Sequence, residues 1–152
     1  MNIKTIIFDW GRTLFDPKIK KELPESEEIL LYCKQKGYKI CVASLVRIGT
    51  TLEERVSQIK SLPLRKYIDI FEVSEDKEKD VMLNKLIQKL NLPKEEILLI
   101  DDRMVKSIKY GNKNGYLTVW LQKGPFANEL PNAETGIPTY TIKSLLELKN
   151  II

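Results

Sequence analysis

The 152-residue sequence contains no histidine, and this absence excludes imidazole bases and imidazole metal ligands. Any bound metal is therefore expected to have oxygen ligands, which favours magnesium over zinc. There are only two cysteines, Cys33 and Cys41. Both fall in predicted core elements, so reduced thiols in a cytoplasmic protein are expected rather than a disulfide framework.

Long hydrophobic runs are also missing from the sequence. No apolar run approaches the roughly 20 residues of a membrane helix, and the first residues predict a strand rather than a signal peptide. The net charge of +4 is too small, and too evenly spread, to predict nucleic-acid binding. The expected partners therefore include neither a membrane nor a nucleic acid.

The sequence does contain 43% hydrophobic and 30% charged residues, which is the composition of a globular chain. Its length predicts a single domain over residues 1–152. Apolar, β-branched runs alternate with amphipathic segments, a pattern that predicts an α/β fold whose parallel sheet has about five strands and helices on both faces. The predicted strands cover 5–8, 38–43, 69–73, 97–100 and 117–121, with a short last one at 139–142.

The predicted helices follow the strands. They run from Pro24 or Glu25 to Lys36, over 51–62, up to Leu90, over 104–113 and over 144–148. Apolar residues at helical spacing are expected to face inward: Leu52, Val56 and Ile59 on the second helix, and Val81, Leu83, Leu86, Ile87 and Leu90 on the third. A lysine-rich connection at 17–24 and a long loop at 122–138 have no predicted helix or strand.

Polar side chains stand where three predicted strands end. Asp9 ends the first, Ser44 the second, and the pair Asp101-Asp102 the fourth. Right-handed crossovers bring the carboxyl ends of parallel strands to one edge of a sheet, so these residues are expected to meet. Three carboxylates at one place repel each other unless a cation joins them, and Mg²⁺ takes carboxylates together with phosphate oxygens. Asp9 is then available as a carboxylate nucleophile towards phosphorus.

The arrangement resembles the haloacid dehalogenase (HAD) superfamily of hydrolases, most of which are magnesium-dependent phosphatases. Four segments carry the resemblance: Phe8 to Asp16, Ser44, the charged stretch 74–80, and Asp101-Asp102. The resemblance implies a HAD-like Rossmannoid fold with Mg²⁺ as cofactor. It also implies a role for each matched residue: Asp9 as nucleophile and metal ligand, Ser44 as phosphate ligand, Lys79 or its neighbour Lys77 as the motif lysine, Asp102 as direct metal ligand, and Asp101 as its support.

The first motif departs from the family pattern at two adjacent positions, and the first of them matters for catalysis. Phosphatases of the family have a second Asp two residues after the nucleophile as general acid, followed by a glycine, and this chain has Gly11 and Arg12 there. The carbonyl of Gly11 can still bind the metal, but the residue cannot donate a proton. Loss of a positioned acid costs about 10²–10⁴-fold, and less for a good leaving group such as that of an acyl phosphate. Arg12 either contacts a phosphate or is solvated on the turn, and Thr13 and Leu45 are further candidate substrate contacts.

The residues therefore favour a Mg²⁺-dependent phosphohydrolase that acts through an aspartyl-phosphate on a phosphorylated substrate of unknown identity. One alternative is a phosphate- or metal-binding relative that has lost turnover because of Gly11. Another is a haloacid dehalogenase-type hydrolase, a branch that also lacks the second Asp, although Asp101-Asp102 suits a cation.

Spacing predicts that the site is open. Ser44 lies 35 positions after Asp9, and Lys79 lies 35 positions after Ser44, which leaves no room in either interval for the cap domain of many HAD relatives. Capless relatives tend to act on large substrates or to borrow cover from a second subunit, so a homodimer is one expectation. The loop 122–138 is expected to cover part of the site. Trp10 and Phe126 are candidate apolar contacts there, with a packing role as the alternative.

Overall fold

The computed structural model describes residues 2–75 and 78–152. In this part of the chain, eight β-strands and four α-helices alternate in the order that the sequence predicts, apart from one added hairpin. The strands are β1 Thr5–Asp9, β2 Phe15–Asp16, β3 Lys21–Glu22, β4 Lys39–Leu45, β5 Ile70–Ser74, β6 Ile97–Asp101, β7 Leu117–Leu121 and β8 Tyr140–Ile142. The helices are α1 Ser26–Gln35, α2 Leu52–Ser61, α3 Lys79–Leu90 and α4 Lys109–Asn114.

Six of the strands form one parallel sheet in the order β5-β4-β1-β6-β7-β8. The predicted α/β fold is confirmed, with six strands in the sheet because the short β8 pairs with β7 at its edge. β1 lies in the middle, and Ile6, Ile7 and Phe8 are almost completely buried, as expected of a strand covered on both faces. The strand order reverses between β1 and β6, and a crevice opens there at the carboxyl ends of such a sheet.

Two helices are buried differently from the prediction. On α2 only Ile59 is buried, and Leu52 is 38% exposed, because this helix contacts little beyond β5 and the 3₁₀ turn Pro63–Tyr67. On α3 Val81 is 52% exposed and Met82 is buried instead. The sets of residues predicted to face inward on α2 and α3 were therefore wrong in part. The sheet covers a narrower stripe of each helix than its apolar residues span.

The predicted helix over 104–113 begins irregularly. Met104–Ile108 is a wide π-type turn in which Lys106 leaves helical geometry, with φ −109° and ψ −113°. The regular helix α4 starts only at Lys109 and ends at Gly115, whose φ is 80°. The helix starts late because the Asp101 side chain, at the carboxyl end of β6, accepts a hydrogen bond from the amide of Ser107. The last predicted helix is also tighter than expected, since Leu145–Asn150 is a 3₁₀ helix whose first residues are capped by Ser144 and Glu147.

The connections leave the carboxyl edge of the sheet open. Between β1 and β4 the chain forms the hairpin β2–β3 and α1, and between β4 and β5 it forms α2 and a 3₁₀ turn, so no cap domain interrupts the described chain. The hairpin was not predicted, because its two-residue strands carry no apolar alternation. The segment 122–138 is a loop as predicted, with one 3₁₀ turn at Gly124–Phe126.

The two cysteines are buried and free. Burial raises the pKa of each thiol to about 12, so both are unreactive in the folded protein. None of the helices in the part of the chain that the structure describes is long and apolar enough to cross a membrane.

The Gly111→Ala variant should be destabilised by about 1–3 kcal/mol, through overpacking. Alanine normally favours a helix by about 1 kcal/mol over glycine, but a Cβ at Gly111 would lie 2.4 Å from Thr118 Cγ2 and 2.9 Å from Leu99 Cδ1. Urea unfolding measures the change. The matched control is Lys113→Ala, an exposed position on the same helix, which should change stability by less than about 0.5 kcal/mol. A stabilised Gly111→Ala protein would contradict the close packing of α4 on β6 and β7.

Candidate active site

Three carboxylates meet where the strand order reverses. Asp9 ends β1 and Asp101 ends β6, and these strands are neighbours in register, with Phe8 beside Ile100. Asp102 follows at once. Each of the three side chains has an oxygen within 4.8 Å of the others. The structure thus brings together the strand-end acids that the sequence predicted would meet.

The second and third carboxylates are completely buried and have different partners. Asp101 accepts hydrogen bonds from the backbone N–H groups of Arg103 (3.0 Å) and Ser107 (2.9 Å), which fixes the irregular turn after β6. Asp102 Oδ2 accepts from Arg12 Nε at 2.8 Å, and its buried Oδ1 has no hydrogen-bond partner in the described chain. Burial, and then the charge of Asp9, raises the pKa of both carboxyl groups, that of Asp101 well above its usual value.

Lys79 holds the nucleophile candidate. Its Nζ lies 2.6 Å from Asp9 Oδ1 and 2.7 Å from the carbonyl oxygen of Ala43, and the side chain is 3% exposed. The first residue of α3 therefore joins the ends of β1 and β4. Lys77, the alternative motif lysine, lies outside the described residues. Thr13 is buried beneath Asp9, with its hydroxyl 3.5 Å from Asp9 Oδ2.

Ser44 lies buried at the end of β4 and is bonded to a residue that the sequence did not single out. Arg55 on α2 donates to Ser44 Oγ and, at 3.2 Å, to the carbonyl oxygen of Leu45. Because the serine oxygen accepts from Arg55, its own hydrogen remains available for an anion. The one sequence signal for Arg55 is a basic residue in the first turn and a half of the helix that follows Ser44.

A pocket of about 590 Å³ opens over these groups. Gly11 and Leu45 line it, as does Ser44, whereas Thr13 does not. Among the described residues, two carboxylates and six cationic side chains also line it: Asp9, Asp101, Arg12, Arg47, Arg55, Lys79, Arg103 and Lys106. The pocket is therefore a site for an anion, with the partly exposed Asp9 and the buried Asp101 at its base.

The loop 122–138 packs against one side of the pocket. The Phe126 ring lies 4.7 Å from the Arg12 guanidinium carbon and 3.7 Å from that of Arg103, in cation–π geometry. Glu129 pairs with Arg103 at 3.1 Å and accepts from the amide of Val105. Arg12 is therefore not solvated on its turn, and its side chain is 12% exposed. Of the two aromatic candidates, Phe126 reaches the site through these arginines.

Trp10 packs inside the protein instead of lining the pocket. Its side chain is completely buried, and its ring lies 5.4 Å from that of Phe15. The two residues fix the turn that follows Asp9, since the carbonyl of Trp10 accepts from the amides of Leu14 and Phe15. Trp10 therefore has the packing role that the sequence left as an alternative.

The donor set fits a hard cation. Asp102 Oδ1 is a buried carboxylate oxygen without a donor, and Asp9 offers a second carboxylate within reach. Mg²⁺ is bound in proteins by one or two such oxygens, with waters and phosphate oxygens completing the shell. In the present conformation Arg12 supplies part of the opposing charge through Asp102 Oδ2.

The comparisons with known proteins match the fold described above. The family model for haloacid dehalogenase-like hydrolases matches residues 1–121. YfnB of Bacillus subtilis, described as a HAD-hydrolase and bound to magnesium, superposes with TM-score 0.82 at 14% identity over 99% of each chain. An L-2-haloacid dehalogenase superposes with TM-score 0.82 at 11% identity over 99% of each chain. A predicted phosphoglycolate phosphatase of Haemophilus somnus gives 0.72 at 12% identity, over 99% of this chain and 98% of the other. No curated protein sequence matches significantly.

Without metal, the protein should be more stable at about pH 5.5 than at about pH 8. The pKa values of Asp101 and Asp102 are raised in the folded state, so burying their charge costs stability above those pKa values. The cost disappears as the pH falls through the folded pKa towards the unfolded value near 3.8. Mg²⁺ should raise the melting temperature, and more at the higher pH, since its positive charge offsets the ionised carboxylates of Asp101 and Asp102.

Differential scanning fluorimetry with EDTA and with Mg²⁺ at both pH values measures this dependence. The matched control is the Asp101→Asn/Asp102→Asn protein, in which both effects should shrink. If the metal-free protein melted at the same temperature at both pH values and Mg²⁺ had no effect, the acidic cluster would not have the buried charge described above.

Proposed function

The chain belongs to the haloacid dehalogenase-like hydrolases, and from this premise we propose that it is a Mg²⁺-dependent phosphohydrolase that forms an aspartyl-phosphate on Asp9. One observation carries the proposal. The Asp9 carboxylate lies in an anion pocket, held by a buried lysine and placed beside a buried carboxylate whose second oxygen has no hydrogen-bond donor among the described residues. A nucleophile for phosphorus and a place for a divalent cation are thus adjacent.

The proposed reaction has two steps. An Asp9 oxygen attacks phosphorus, and the bond from phosphorus to the leaving oxygen breaks with its electron pair going to that oxygen. Water then attacks the phosphorus of the aspartyl-phosphate, which releases inorganic phosphate and restores the carboxylate. Ser44 would donate to a phosphoryl oxygen, and Lys79 would offset the charge that develops on that group.

Mg²⁺, when bound, supplies charge that lets the Asp9 carboxylate approach a phosphate dianion. Asp9 and Asp102 would hold it, with the Gly11 carbonyl as a further ligand. Asp101 would act as a positioning residue, because both of its oxygens already hold backbone amides of the turn after β6.

The substrate class follows from what position 11 lacks. Gly11 has no side chain to protonate a leaving oxygen, and the guanidinium of Arg12 beside it pairs with Asp102. Substrates whose leaving group departs as a stable anion are therefore favoured. Acyl phosphates and activated aryl phosphates have that property, whereas simple alkyl phosphates do not.

The test is turnover of acetyl phosphate and p-nitrophenyl phosphate with Mg²⁺ and with EDTA. Activity should require Mg²⁺, and Asp9→Asn should lower kcat by at least about 10³-fold, since the nucleophile is lost. An intact protein no more active than Asp9→Asn on a panel of phosphorylated substrates would overturn the proposal. If that protein still bound Mg²⁺ by calorimetry, the alternative of a binding protein without turnover would replace it.

The dehalogenase alternative has one observation in its favour. Arg12 already brings a cation to Asp102, so part of the charge on the acidic cluster is balanced by the chain itself. Release of chloride from 2-chloropropionate that persists in EDTA would support this alternative and contradict the phosphohydrolase.

Restoring an acid at position 11 should raise activity on substrates with poor leaving groups. A Cβ built at Gly11 meets nothing within 4 Å, and its φ is not in the left-handed region, so a side chain fits. General-acid catalysis contributes at least about 10²-fold when the acid is well placed. Gly11→Asp should recover part of this effect and increase kcat on alkyl phosphates by about 10-fold or more. The gain on acetyl phosphate should be small, because that leaving group needs no proton.

Gly11→Asn is the matched control, since it has the same shape and no carboxylic proton. It should leave alkyl phosphate turnover at the level of the parent protein. An equal gain from both variants, or a gain on acetyl phosphate as large as that on alkyl phosphates, would contradict general-acid catalysis as the missing function.

A further inference from the structure

The pocket contains more positive charge than the proposed reaction uses. Six cationic side chains of the described residues line it. Three of them pair with carboxylates of the chain: Arg12 with Asp102, Lys79 with Asp9, and Arg103 with Glu129. These three are needed to balance the acids at and beside the base of the pocket.

The other three have no carboxylate partner in the described part of the chain. Arg47, Arg55 and Lys106 form no ion pair with a carboxylate among residues 2–75 and 78–152. Within the described residues, the hydrogen-bond acceptors of Arg55 are neutral oxygens, those of Ser44, Leu45 and Gln58. Cations that line the same pocket repel one another. An anionic ligand bound between them would relieve this repulsion, so such a pocket attracts anions.

The positions of these cations divide the pocket into two parts. Arg55 bonds to Ser44, which is the proposed contact of the transferred phosphoryl group. Arg47 lies on the segment after β4, and Lys106 lies in the irregular turn after β6; these two strands flank β1 on its two sides. Burial and the nearby positive charge of Arg12 lower the pKa of Arg47, although Asp9 and Asp102 oppose that shift. Arg47 therefore lies within the field of the acidic cluster.

We propose that the natural substrate carries, besides the phosphate that Asp9 attacks, a second anionic group that Arg47 and Lys106 bind at the mouth of the pocket. The inference rests on the proposed phosphohydrolase function, because it takes the first anionic group to be the one at Asp9. A transferred phosphoryl group brings up to about two negative charges, and three cations of the pocket have no carboxylate partner in the part of the chain that the structure describes. The second group is a phosphate or a carboxylate, both of which match the fork of an arginine.

Binding of three non-hydrolysable ligands tests this inference apart from turnover. Propylphosphonate has one anionic group, 3-phosphonopropionate adds a carboxylate, and propane-1,3-diphosphonate adds a second phosphonate. The two ligands with two anionic groups are called two-headed below. Isothermal titration calorimetry of the full chain with Mg²⁺ should show that one or both of them bind at least about tenfold more tightly than propylphosphonate. The preferred ligand identifies the second group as carboxylate or phosphate.

Variants locate the second group. Arg47→Gln and Lys106→Gln should each remove most of the advantage of the two-headed ligand over propylphosphonate. Lys113→Gln makes the same charge change at the far end of α4, which runs back from the carboxyl edge of the sheet, and should leave the ratio unchanged. Equal melting temperatures of the three variants establish that they are folded.

Three results would overturn the inference: equal affinity for all three ligands, no binding of any of them, or an advantage that survives both pocket variants. The two proposals can fail separately. Equal affinities with Mg²⁺-dependent turnover would remove the second anionic group and keep the phosphohydrolase. A two-headed preference lost in the pocket variants, without turnover on any phosphate, would keep the second site and remove the reaction.

Discussion

The buried ion pair between Lys79 and Asp9 is the contact on which the rest of the site depends. One ammonium group bonds both Asp9, at the end of β1, and the Ala43 carbonyl, inside β4. It therefore fixes the start of α3 to the two strands that carry Asp9, the proposed nucleophile, and Ser44, the proposed phosphate ligand. Removing one partner of a buried pair typically costs about 3–5 kcal/mol, since the other charge is left buried alone. Architecture and chemistry share this contact, so substitutions of Lys79 change both at once.

The second constraint is the charge of Asp101 and Asp102, which are buried beside Asp9. Two sets of contacts within the chain offset this negative charge. Backbone amides of the turn after β6 donate to Asp101, which delays the start of α4, while the Arg12 guanidinium pairs with Asp102. Phe126 and Glu129 then hold the arginines from the loop side. The loop 122–138 thus belongs to the electrostatics of the site through its contacts with Arg12 and Arg103.

Sequence reasoning found the parts of the site that strand ends determine. Asp9, Ser44 and Asp101 each close a buried β-run, and the handedness of crossovers is enough to bring such residues to one edge. It did not find Arg55, Arg47 or the contact of Phe126 with Arg12, because those depend on where flexible side chains from separate segments meet. It also missed the hairpin β2–β3, whose short polar strands have no periodic signal. The inward face of α2 was overestimated for a related reason, since pattern shows which side is apolar but not how much the sheet covers.

Arg12 has a backbone φ of 63°, in the left-handed region that glycine adopts readily and other residues adopt at a cost of about 1–2 kcal/mol. The family pattern has glycine at this position, so the chain has accepted conformational strain in order to place a guanidinium against a buried carboxylate. Local strain of this kind persists where the surrounding structure enforces it. Position 12 is thus a trade-off between folding stability and the electrostatics of the site, and selection for thermostability alone would be expected to return it to glycine.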